Sequence, residues 1–476
     1  MEVISSIYNS GYNIKKFYLG SRELNLAYLG NQVIYDEVIG DNDLNYILYE
    51  FYGSDTLPNT VEAPVKSAIL KGNTKYRDID TGDILDTFDE TKNLELVSVK
   101  MPVLTTTGKN LIGRYEKVVY RSGREQEGAT LDNDGNFTYV GAPGNRPCLI
   151  YKNNPNTIVT VSANVSLYGL NIYEYSDIPN FTREDEPRML TEYLYTGTQK
   201  SITRTTSKEA KYIGISFYND STNIGYTNLQ LEYGLQATVH EPFKSNILTV
   251  NEDVTLRGVG DVKDELNLLT GEVTYMLSEK RLTSDLAWVM HPSWQTDELM
   301  TFGISNINWG VGLVCNRFIK GDNGSVMGVT DKAKRSFYAH ATGWFICLYK
   351  NELSEVSVQG FKEWLDNNET NIVYKLPQQS VKTVDLTIVD QDGKTINKLN
   401  SFNGTTYVST EVAENSAYPM VSLEVASELQ AAMSKVAEDI ELIKPVQNDI
   451  ETTLDTQSND IDSLLLATTE LFEMFL

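Results

Sequence analysis

Residues 157–167 read TIVTVSANVSL, and apolar and polar side chains alternate along this run. Because successive side chains of a strand point to opposite faces of a sheet, a period of two predicts a strand with one buried and one wet side. YIGISFYN at 212–219 repeats the alternation, and the Asp-Gly pair in LDNDGNFTYV at 131–140 predicts a hairpin turn. The predicted buried face carries Val159, Val161, Ala163, Val165 and Leu167, and the predicted wet face carries Thr160, Ser162, Asn164 and Ser166.

Strand patterns of this kind extend over residues 105–250 and predict a β-sandwich of the jelly-roll type. Residues 251–423 form a second strand-rich segment, which includes an Asp-Gly hairpin at 387–396 and a short helix predicted in VQGFKEWLDNN at 358–368. We therefore expect a mainly β chain with two consecutive β-sandwich modules. All five tryptophans belong to the second module: Trp288, Trp294, Trp309, Trp344 and Trp364.

The N-terminal segment 1–40 contains a short internal repeat. FYLGSRELNLAYLGNQVIYD at 17–36 contains Tyr-Leu-Gly at 18–20 and again at 28–30, and each copy ends a β-prone run at a glycine. This pattern predicts a small hairpin region, and its tyrosine-rich surface suits docking onto another protein. Residues 41–104 carry further short strands between turn signals and are predicted to be a β-rich connector.

The last segment, 424–476, changes from a period of two to heptad spacing. An apolar seam repeated every three and four residues predicts a coiled-coil helix that assembles the chain into a homo-oligomer. We expect a trimer, although mixtures of leucine and isoleucine at such positions also support dimers, and Pro445 predicts a break. The predicted oligomerisation positions are Leu429, Val436, Ile440, Ile443, Ile450, Leu454, Ile461, Leu464, Leu471 and Phe475.

Charge and cysteine usage exclude several classes of partner. The formal net charge of the 476 residues is −25, so the chain lacks the basic surface that nucleic acids and anionic membranes attract. No run is long and apolar enough to predict a membrane span, and no secretory signal is expected. The three scattered cysteines, Cys148, Cys315 and Cys347, predict reduced thiols and synthesis in a reducing compartment.

The residues that most often carry catalysis or metals are not grouped in this sequence. The three histidines, His240, His291 and His340, lack the spacing of metal ligands, and Asp132–Asn136 places glycine at the wrong position for a calcium loop. Neither a phosphate-binding glycine loop nor a nucleophile elbow occurs. We expect no enzymatic activity, no cofactor and no metal.

Aromatic side chains are the remaining candidates for a binding site, because exposed rings stack on the apolar faces of sugars. In GLNIYEYS at 169–176, the alternation predicts that Tyr173 and Tyr175 point outward. Trp294 in HPSWQTDE and Trp309 in NINWG lie in polar segments that predict exposed loops. These four residues are the predicted carbohydrate-binding positions. The alternative for each tryptophan is a place in the core or in a subunit interface.

Several stretches, in this order, resemble structural proteins of phages that infect Gram-positive bacteria. The N-terminal repeat resembles the first piece of such proteins, and VKSAILKGNTKYRD at 65–78 with LELVSVKMPVLTTTGKNLI at 94–112 resembles the segment that introduces their carbohydrate-binding-like jelly rolls. TNLQLEYGLQATVHEPF at 227–243 is similar to the end of that jelly roll. Similarity to the following module extends over LRGVGDVKDELNLLTGEVT at 256–274, FKEWLDNNETNIVYKL at 361–376 and LNSFNGTTYVST at 399–410.

The resemblance implies a virion protein, assembled in the host cytoplasm, of the fibre or baseplate type. It implies that the modules face the host and bind cell-wall polysaccharide, while other virion proteins hold the chain on the particle. Two alternatives stay open: a head or neck fibre that decorates the capsid, and a structural spacer whose jelly roll only packs against its neighbours.

Overall fold

The computed structural model describes four short strands between residues 17 and 34, and then residues 46–58, 60–120, 129–140, 147–165, 167, 170–179, 189–194, 199–217, 223–307, 309–321, 335–340, 343–427, 453 and 456–469. Antiparallel sheets dominate these residues, so the prediction of a mainly β chain is confirmed. None of the described helices has the length and apolar character needed to cross a membrane.

The strands before residue 108 are β1 (Phe17–Leu19), β2 (Arg22–Leu24), β3 (Ala27–Leu29), β4 (Gln32–Ile34), β5 (Tyr46–Tyr52), β6 (Ser54–Pro58), β7 (Ala63–Pro64), β8 (Ser67–Lys71), β9 (Thr74–Asp78), β10 (Ile84–Leu85), β11 (Leu94–Lys100) and β12 (Val103–Thr107). They are followed by β13 (Lys117–Tyr120), β14 (Ala129–Leu131), β15 (Phe137–Val140), β16 (Pro147–Lys152), β17 (Ile158–Ser162), β18 (Leu170–Tyr175), β19 (Met189–Leu194), β20 (Ser201–Thr205), β21 (Tyr212–Phe217), β22 (Asn223–Tyr226) and β23 (Gln230–Tyr233).

The next strands are β24 (Ser245–Val250), β25 (Thr255–Leu256), β26 (Gly258–Val259), β27 (Val262–Lys263), β28 (Glu265–Asn267), β29 (Glu272–Leu282), β30 (Val289–Gln295), β31 (Leu299–Ser305), β32 (Val311–Cys315), β33 (Ile319–Lys320), β34 (Ser336–His340) and β35 (Gly343–Tyr349). A 3₁₀ turn (Lys350–Glu352) and helix α1 (Val358–Asn367) precede β36 (Thr370–Thr383), β37 (Leu386–Asp390), β38 (Thr395–Ile396), β39 (Asn400–Ser401), β40 (Thr405–Glu411) and β41 (Met420–Ala426).

The N-terminal repeat forms two separate hairpins. β1 pairs with β2 and β3 pairs with β4, in both cases antiparallel. The innermost pairs are Leu19 with Arg22 and Leu29 with Gln32, so the two hairpins have the same register relative to the repeated sequence. The repeated sequence therefore gives a repeated local geometry, as the glycine-ended runs predict.

Two large sheets share one hydrophobic core, and we call this part of the chain the central body. One sheet has the order β38-β37-β24-β12-β40-β6, and the other has the order β32-β36-β29-β28-β8-β41-β5. Buried residues of both sheets meet in one cluster, with Leu104 and Leu248 from the first and Leu70 and Leu423 from the second. Each of these side chains occupies a core-facing position of an alternating strand.

Strand pairing in the central body does not follow the linear division predicted from the sequence. β12 lies between β24 and β40, so Thr105 has Ile247 as one neighbour and Ser409 as the other. The sheet therefore joins strands from three of the predicted segments, 41–104 with 105–250 and 251–423. Alternation predicts that a segment is a strand, but it carries no information about which distant strand completes the pair.

The first insert runs from β13 to β23, between β12 and β24 of the central body. It contains a five-stranded sheet, β13-β16-β21-β18-β19, and two three-stranded sheets, β14-β15-β22 and β20-β17-β23, around a common core. Val159 and Val161 are buried in this core. The hydroxyls of Thr160 and Thr203 share a hydrogen bond across two neighbouring strands (2.9 Å between the oxygens). The strand β17 is shorter than predicted, because it ends at Ser162 and Val165 is exposed.

The second insert lies between β29 and β36, which together form a long ribbon that leaves the central body. Its five-stranded sheet has the order β30-β31-β35-β34-β33 and packs one face against α1. The helix begins after Ser357, whose hydroxyl accepts a hydrogen bond from the Gly360 amide (3.0 Å), the usual role of an N-terminal capping serine. Phe361 and Trp364 of α1 are buried in the insert's core.

The C-terminal segment is described at residue 453 and at 456–469, which are helical. Ile461 and Leu464, two of the predicted oligomerisation positions, are 61% and 66% exposed on this helix. Helical geometry there agrees with the heptad pattern, but a coiled coil is not confirmed. The other predicted oligomerisation positions lie outside the described residues: Leu429, Val436, Ile440, Ile443, Ile450, Leu454, Leu471 and Phe475.

Candidate functional site

Tyr173 and Tyr175 lie on the predicted face of β18 but are not exposed. Ile172 points into the core of the first insert, and the two tyrosines point away from it, yet they are only 3% and 2% exposed. Their ring centroids are 6.1 Å apart, and half-buried Ile178 packs against them. The prediction of exposed rings is wrong, because this outer face of the sheet has a small apolar cluster of its own. Its other members are Val119, Cys148, Ile150 and Tyr212.

Trp309 lies in the loop between β31 and β32, as predicted, but it is half-buried and packs against the edge of the core. Its ring meets the buried Trp344 edge-on, with centroids 4.9 Å apart. The Lys280 ammonium lies 5.1 Å from the centroid of the Trp309 ring and covers it. The prediction of exposure is therefore wrong for Trp309 as well, since the polar sequence around it connects strands above a large aromatic core.

Trp294 also departs from the prediction of an exposed loop, because it lies in strand β30 and is half-buried. It differs from Trp309 in lying on the outer face of its sheet. On β30, its indole stacks on the imidazole of His291, with centroids 4.6 Å apart and planes 13° apart. Both rings contact the buried Phe345 of β35 edge-on, at 5.4 Å from His291 and 5.2 Å from Trp294. Tyr338 of β34 stacks near the other side of Phe345 at 6.3 Å. We call these four residues the aromatic row.

The aromatic row depends on a glycine in the strand between its members. Gly303 of β31 pairs with Val289 of β30 and with Phe345 of β35. A Cβ atom at Gly303 would lie 2.4 Å from the Phe345 ring and 3.0 Å from Nε2 of His291. Because glycine has no Cβ, the rings of two strands can lie flat across the third. The register of β30 also shifts between Met290 and Gln295, which places Trp294 beside His291.

The aromatic row is uncharged at neutral pH. Burial lowers the pKa of His291, so its imidazole is neutral, and Nε2 has no hydrogen-bond partner among the residues that the structure describes. Trp294, His291 and Tyr338 are half-buried, and Phe345 is buried. A neutral row of flat rings on an outer sheet face can stack on an apolar ligand surface.

Sequence reasoning found one of the four members of the aromatic row. It missed His291, Phe345 and Tyr338, although Phe345 alternates with the core-facing Trp344 and could have been assigned to the outer face by its period of two. The spacing of His291 from the other histidines excludes a metal site, and no local pattern there predicts ring stacking. The side chain of His340 lies outside the described part of the chain.

The described residues contain neither a candidate metal site nor a reactive thiol. Among them, no group of three or more His, Cys, Asp or Glu side chains could hold a metal ion. All three cysteines are buried and unpaired by disulfides. Burial raises the pKa of Cys148, Cys315 and Cys347, so these thiols are protonated and unreactive at neutral pH.

Comparisons with known proteins leave the family open. No family model matches the chain, and no curated protein matches it. A search of solved structures finds VP2 of infectious bursal disease virus in a subviral particle, at 10% identity and a TM-score of 0.08, over 79% of this chain and 82% of that one. A mutant VP2 from T=1 particles gives the same identity and TM-score, over 79% and 80% of the two chains. A TM-score this low does not establish a shared fold, so these alignments carry no argument about this chain.

Proposed function

We propose that this chain is a structural protein of a phage virion, of the fibre or baseplate type, which attaches to glycans of the host cell wall. The sequence resemblance to phage proteins of Gram-positive hosts supports the virion assignment. The aromatic row is the observation that carries the binding role, because it places Trp294 on an outer sheet face where a ligand can reach the ring.

Flat aromatic rings suit sugars because pyranose rings have an apolar face of C–H groups. Stacking of one sugar contributes only a few kcal/mol, so a single site of this kind has a dissociation constant near 1 mM. A homo-oligomer joined through 424–476, a trimer in this proposal, presents several rows at once. Later contacts then become intramolecular, and avidity rises by roughly 10²–10⁴.

Charge narrows the class of glycan. The chain carries a formal net charge of −25, so anionic wall polymers are repelled at long range. The aromatic row itself is neutral. A neutral glycan, or one that bears amino sugars, is therefore the proposed ligand.

A decoration or spacer role is the second candidate, and the burial of Tyr173 and Tyr175 favours it for the first insert. Rings that are packed within a cluster serve stability and cannot stack on a sugar. In this alternative the inserts are rigid parts of a head or neck fibre, and the chain does not bind walls.

The proposal is tested by co-sedimentation of the purified full chain with cell walls from a panel of Gram-positive bacteria. Trp294→Ala is expected to weaken wall binding about tenfold, which corresponds to 1.4 kcal/mol. Trp294→Tyr should restore most of the binding, because a flat ring returns. Tyr349→Ala is the matched control, since Tyr349 is an exposed aromatic residue of the same sheet outside the row. Equal binding by all variants would reject the aromatic row as the attachment site.

A further inference from the structure

A cleft of about 490 Å³ separates the first insert from the six-stranded sheet of the central body. One wall consists mainly of residues from β6 and β40, and the other consists of residues from the first insert and from segment 111–116, which leads into it. Tyr407 of β40 joins the two walls, because it is buried in the core of the insert and meets Tyr233 edge-on at 5.3 Å. We call this the inter-module cleft, and its polar lining includes Asp55, Arg114, Glu116 and Glu411.

Arg114 supplies hydrogen-bond donors inside the inter-module cleft. Its Nη2 donates to the hydroxyl of Ser409 (2.9 Å), and its guanidinium makes no other hydrogen bond and no ion pair with a residue that the structure describes. Burial lowers the pKa of Arg114, although it remains charged, so the guanidinium is partly removed from water. A guanidinium carries five N–H donors, so those that Ser409 does not use can donate to a ligand in the cleft.

Asp55 supplies an acceptor in the same cleft. Its Oδ1 accepts a hydrogen bond from the Thr56 amide (2.7 Å), and its other carboxyl oxygen has no hydrogen-bond donor among the described residues. Burial raises the pKa of Asp55 to about 6, so the carboxyl exchanges its proton close to neutral pH. Glu116 and Glu411 are exposed and add two negative charges to the lining.

Aromatic surface is available at the cleft in addition to its polar groups. Tyr52 and Tyr418 both line it and are 54% and 49% exposed, and the Lys263 ammonium lies 5.7 Å from the centroid of the Tyr52 ring. Gly53 lies beside the Tyr418 ring, where an added Cβ would be 3.7 Å from it. Tyr151 is different, because it is buried and its hydroxyl donates to the carbonyl of Ile112 (2.8 Å).

We infer that the inter-module cleft is a second saccharide site, in which Arg114 and Asp55 bind the hydroxyls of a neutral sugar that lies against Tyr52 and Tyr418. A sugar carries several hydroxyls, each of which can donate and accept, so one can accept from the guanidinium and another can donate to the carboxyl. The inference takes its choice of ligand from the proposed function, but its residues are separate from the aromatic row.

An anionic ligand fits this lining less well than a neutral sugar. Arg114 alone would attract a carboxylate or a phosphate. Asp55, Glu116 and Glu411 outnumber Arg114 and Lys152 along the same cleft, so an oxyanion would meet repulsion there. A neutral sugar can bind both the donors of Arg114 and the acceptor oxygen of Asp55 without electrostatic repulsion.

The test measures binding of neutral disaccharides, namely cellobiose, maltose and N,N′-diacetylchitobiose, to the full chain by saturation-transfer NMR and calorimetry, with glucuronate as the anionic probe. Binding of at least one neutral disaccharide in the millimolar range is expected. Arg114→Gln should weaken it at least tenfold, and Lys208→Gln, a matched loss of positive charge at an exposed residue of the first insert outside the cleft, should weaken it less than threefold. Thermal unfolding of each variant serves as the folding control.

Three results would overturn the inference: binding of none of the neutral disaccharides, preference for glucuronate, or full binding by Arg114→Gln. Trp294→Ala separates the two sites. If Trp294→Ala abolishes wall binding but leaves disaccharide binding to the cleft unchanged, the two sites bind sugars independently. If Arg114→Gln keeps disaccharide binding and Trp294→Ala removes it, the aromatic row is the only sugar site and the inference about the cleft fails.

Discussion

The imidazole of His291 lies parallel to the indole of Trp294, with ring centroids 4.6 Å apart and planes 13° apart. Both residues belong to the same strand, three positions apart, and a register shift in that strand brings their rings together. Phe345 of β35 contacts both rings edge-on. The stack therefore depends on the strand geometry of the second insert and on the empty space above Gly303.

Gly303→Ala is expected to disturb the aromatic row directly. The new methyl group would lie 2.4 Å from the Phe345 ring, so the rings must shift, and overpacking of this kind costs about 1–3 kcal/mol of unfolding free energy. Urea denaturation measures the loss. Gly225→Ala is the matched control in a strand of the first insert, because its Cβ would meet no atom within 4 Å. Equal stability of the two variants would contradict the packing described for Gly303.

Asp264 is expected to be one of the most sensitive positions of the central body. It is completely buried, and its carboxylate accepts hydrogen bonds from the amides of Arg257, Met276 and Leu277 at 2.7–2.9 Å. It thereby supports the register shift of β29 between Tyr275 and Leu277.

Asp264→Ala leaves those amides unpaired and should lower the free energy of unfolding by about 3–5 kcal/mol. The measurement is the midpoint of urea unfolding. Asp261→Ala changes an exposed aspartate nearby and should have little effect. A small loss at Asp264, similar to that at Asp261, would show that the buried carboxylate does not organise this strand.

Asp55 is expected to make stability depend on pH. Its pKa is raised to about 6 in the folded chain and lies near 4 in an unfolded one, so folding favours the protonated form. The stabilising contribution of Asp55 to the free energy of unfolding is therefore fully present below about pH 4. It is lost as the pH rises to about 6 and does not change further above that value.

Asp55→Asn removes this titration while keeping an oxygen that can accept from the Thr56 amide. The variant should gain stability relative to the original chain as the pH rises, on the order of 1 kcal/mol after allowance for solvent screening. Urea midpoints of both chains at pH 4 and pH 7.5 measure the difference in stability between the variant and the original chain. Other titrating groups contribute equally to both chains, so their effects cancel in this difference. A difference that stays constant with pH would contradict the assigned cause.

Assembly is expected to require the C-terminal helix. Ile461 and Leu464 are exposed on the described part of this helix, and neighbouring copies would bury such side chains in a coiled coil. Sedimentation equilibrium should give a trimer for the full chain and a monomer for residues 1–427, which end just after β41. A monomeric full chain at micromolar concentration would reject the proposed oligomer.

The sequence predicted local features of this chain better than relations between distant segments. Val159 and Val161 are buried as their alternation predicts, and the Tyr-Leu-Gly repeat does form two equivalent hairpins. Each of these properties depends on residues within one strand or turn, where a period of two or a glycine decides the geometry.

The candidate site was harder to predict, because exposure depends on what covers a face. Alternation placed Tyr173 on the correct face of its strand, but it could not show that an apolar cluster buries that face. The pairing of Thr105 with Ile247 and Ser409 depends on tertiary contacts over long sequence distances. The inter-module cleft follows from that pairing, so Asp55 and Arg114 could not be grouped from the sequence.

The central claim is that an oligomer attaches to host walls through weak sites on each copy, and wall binding measures it most directly. Purified full chain and residues 1–427 are mixed with cell walls from a panel of Gram-positive bacteria, and the bound fractions are determined by co-sedimentation. The account predicts that the full chain binds walls of at least one strain, with an apparent affinity roughly 10²-fold or more above that of residues 1–427. A full chain that binds no wall in the panel would contradict the attachment role and would favour the decoration or spacer role.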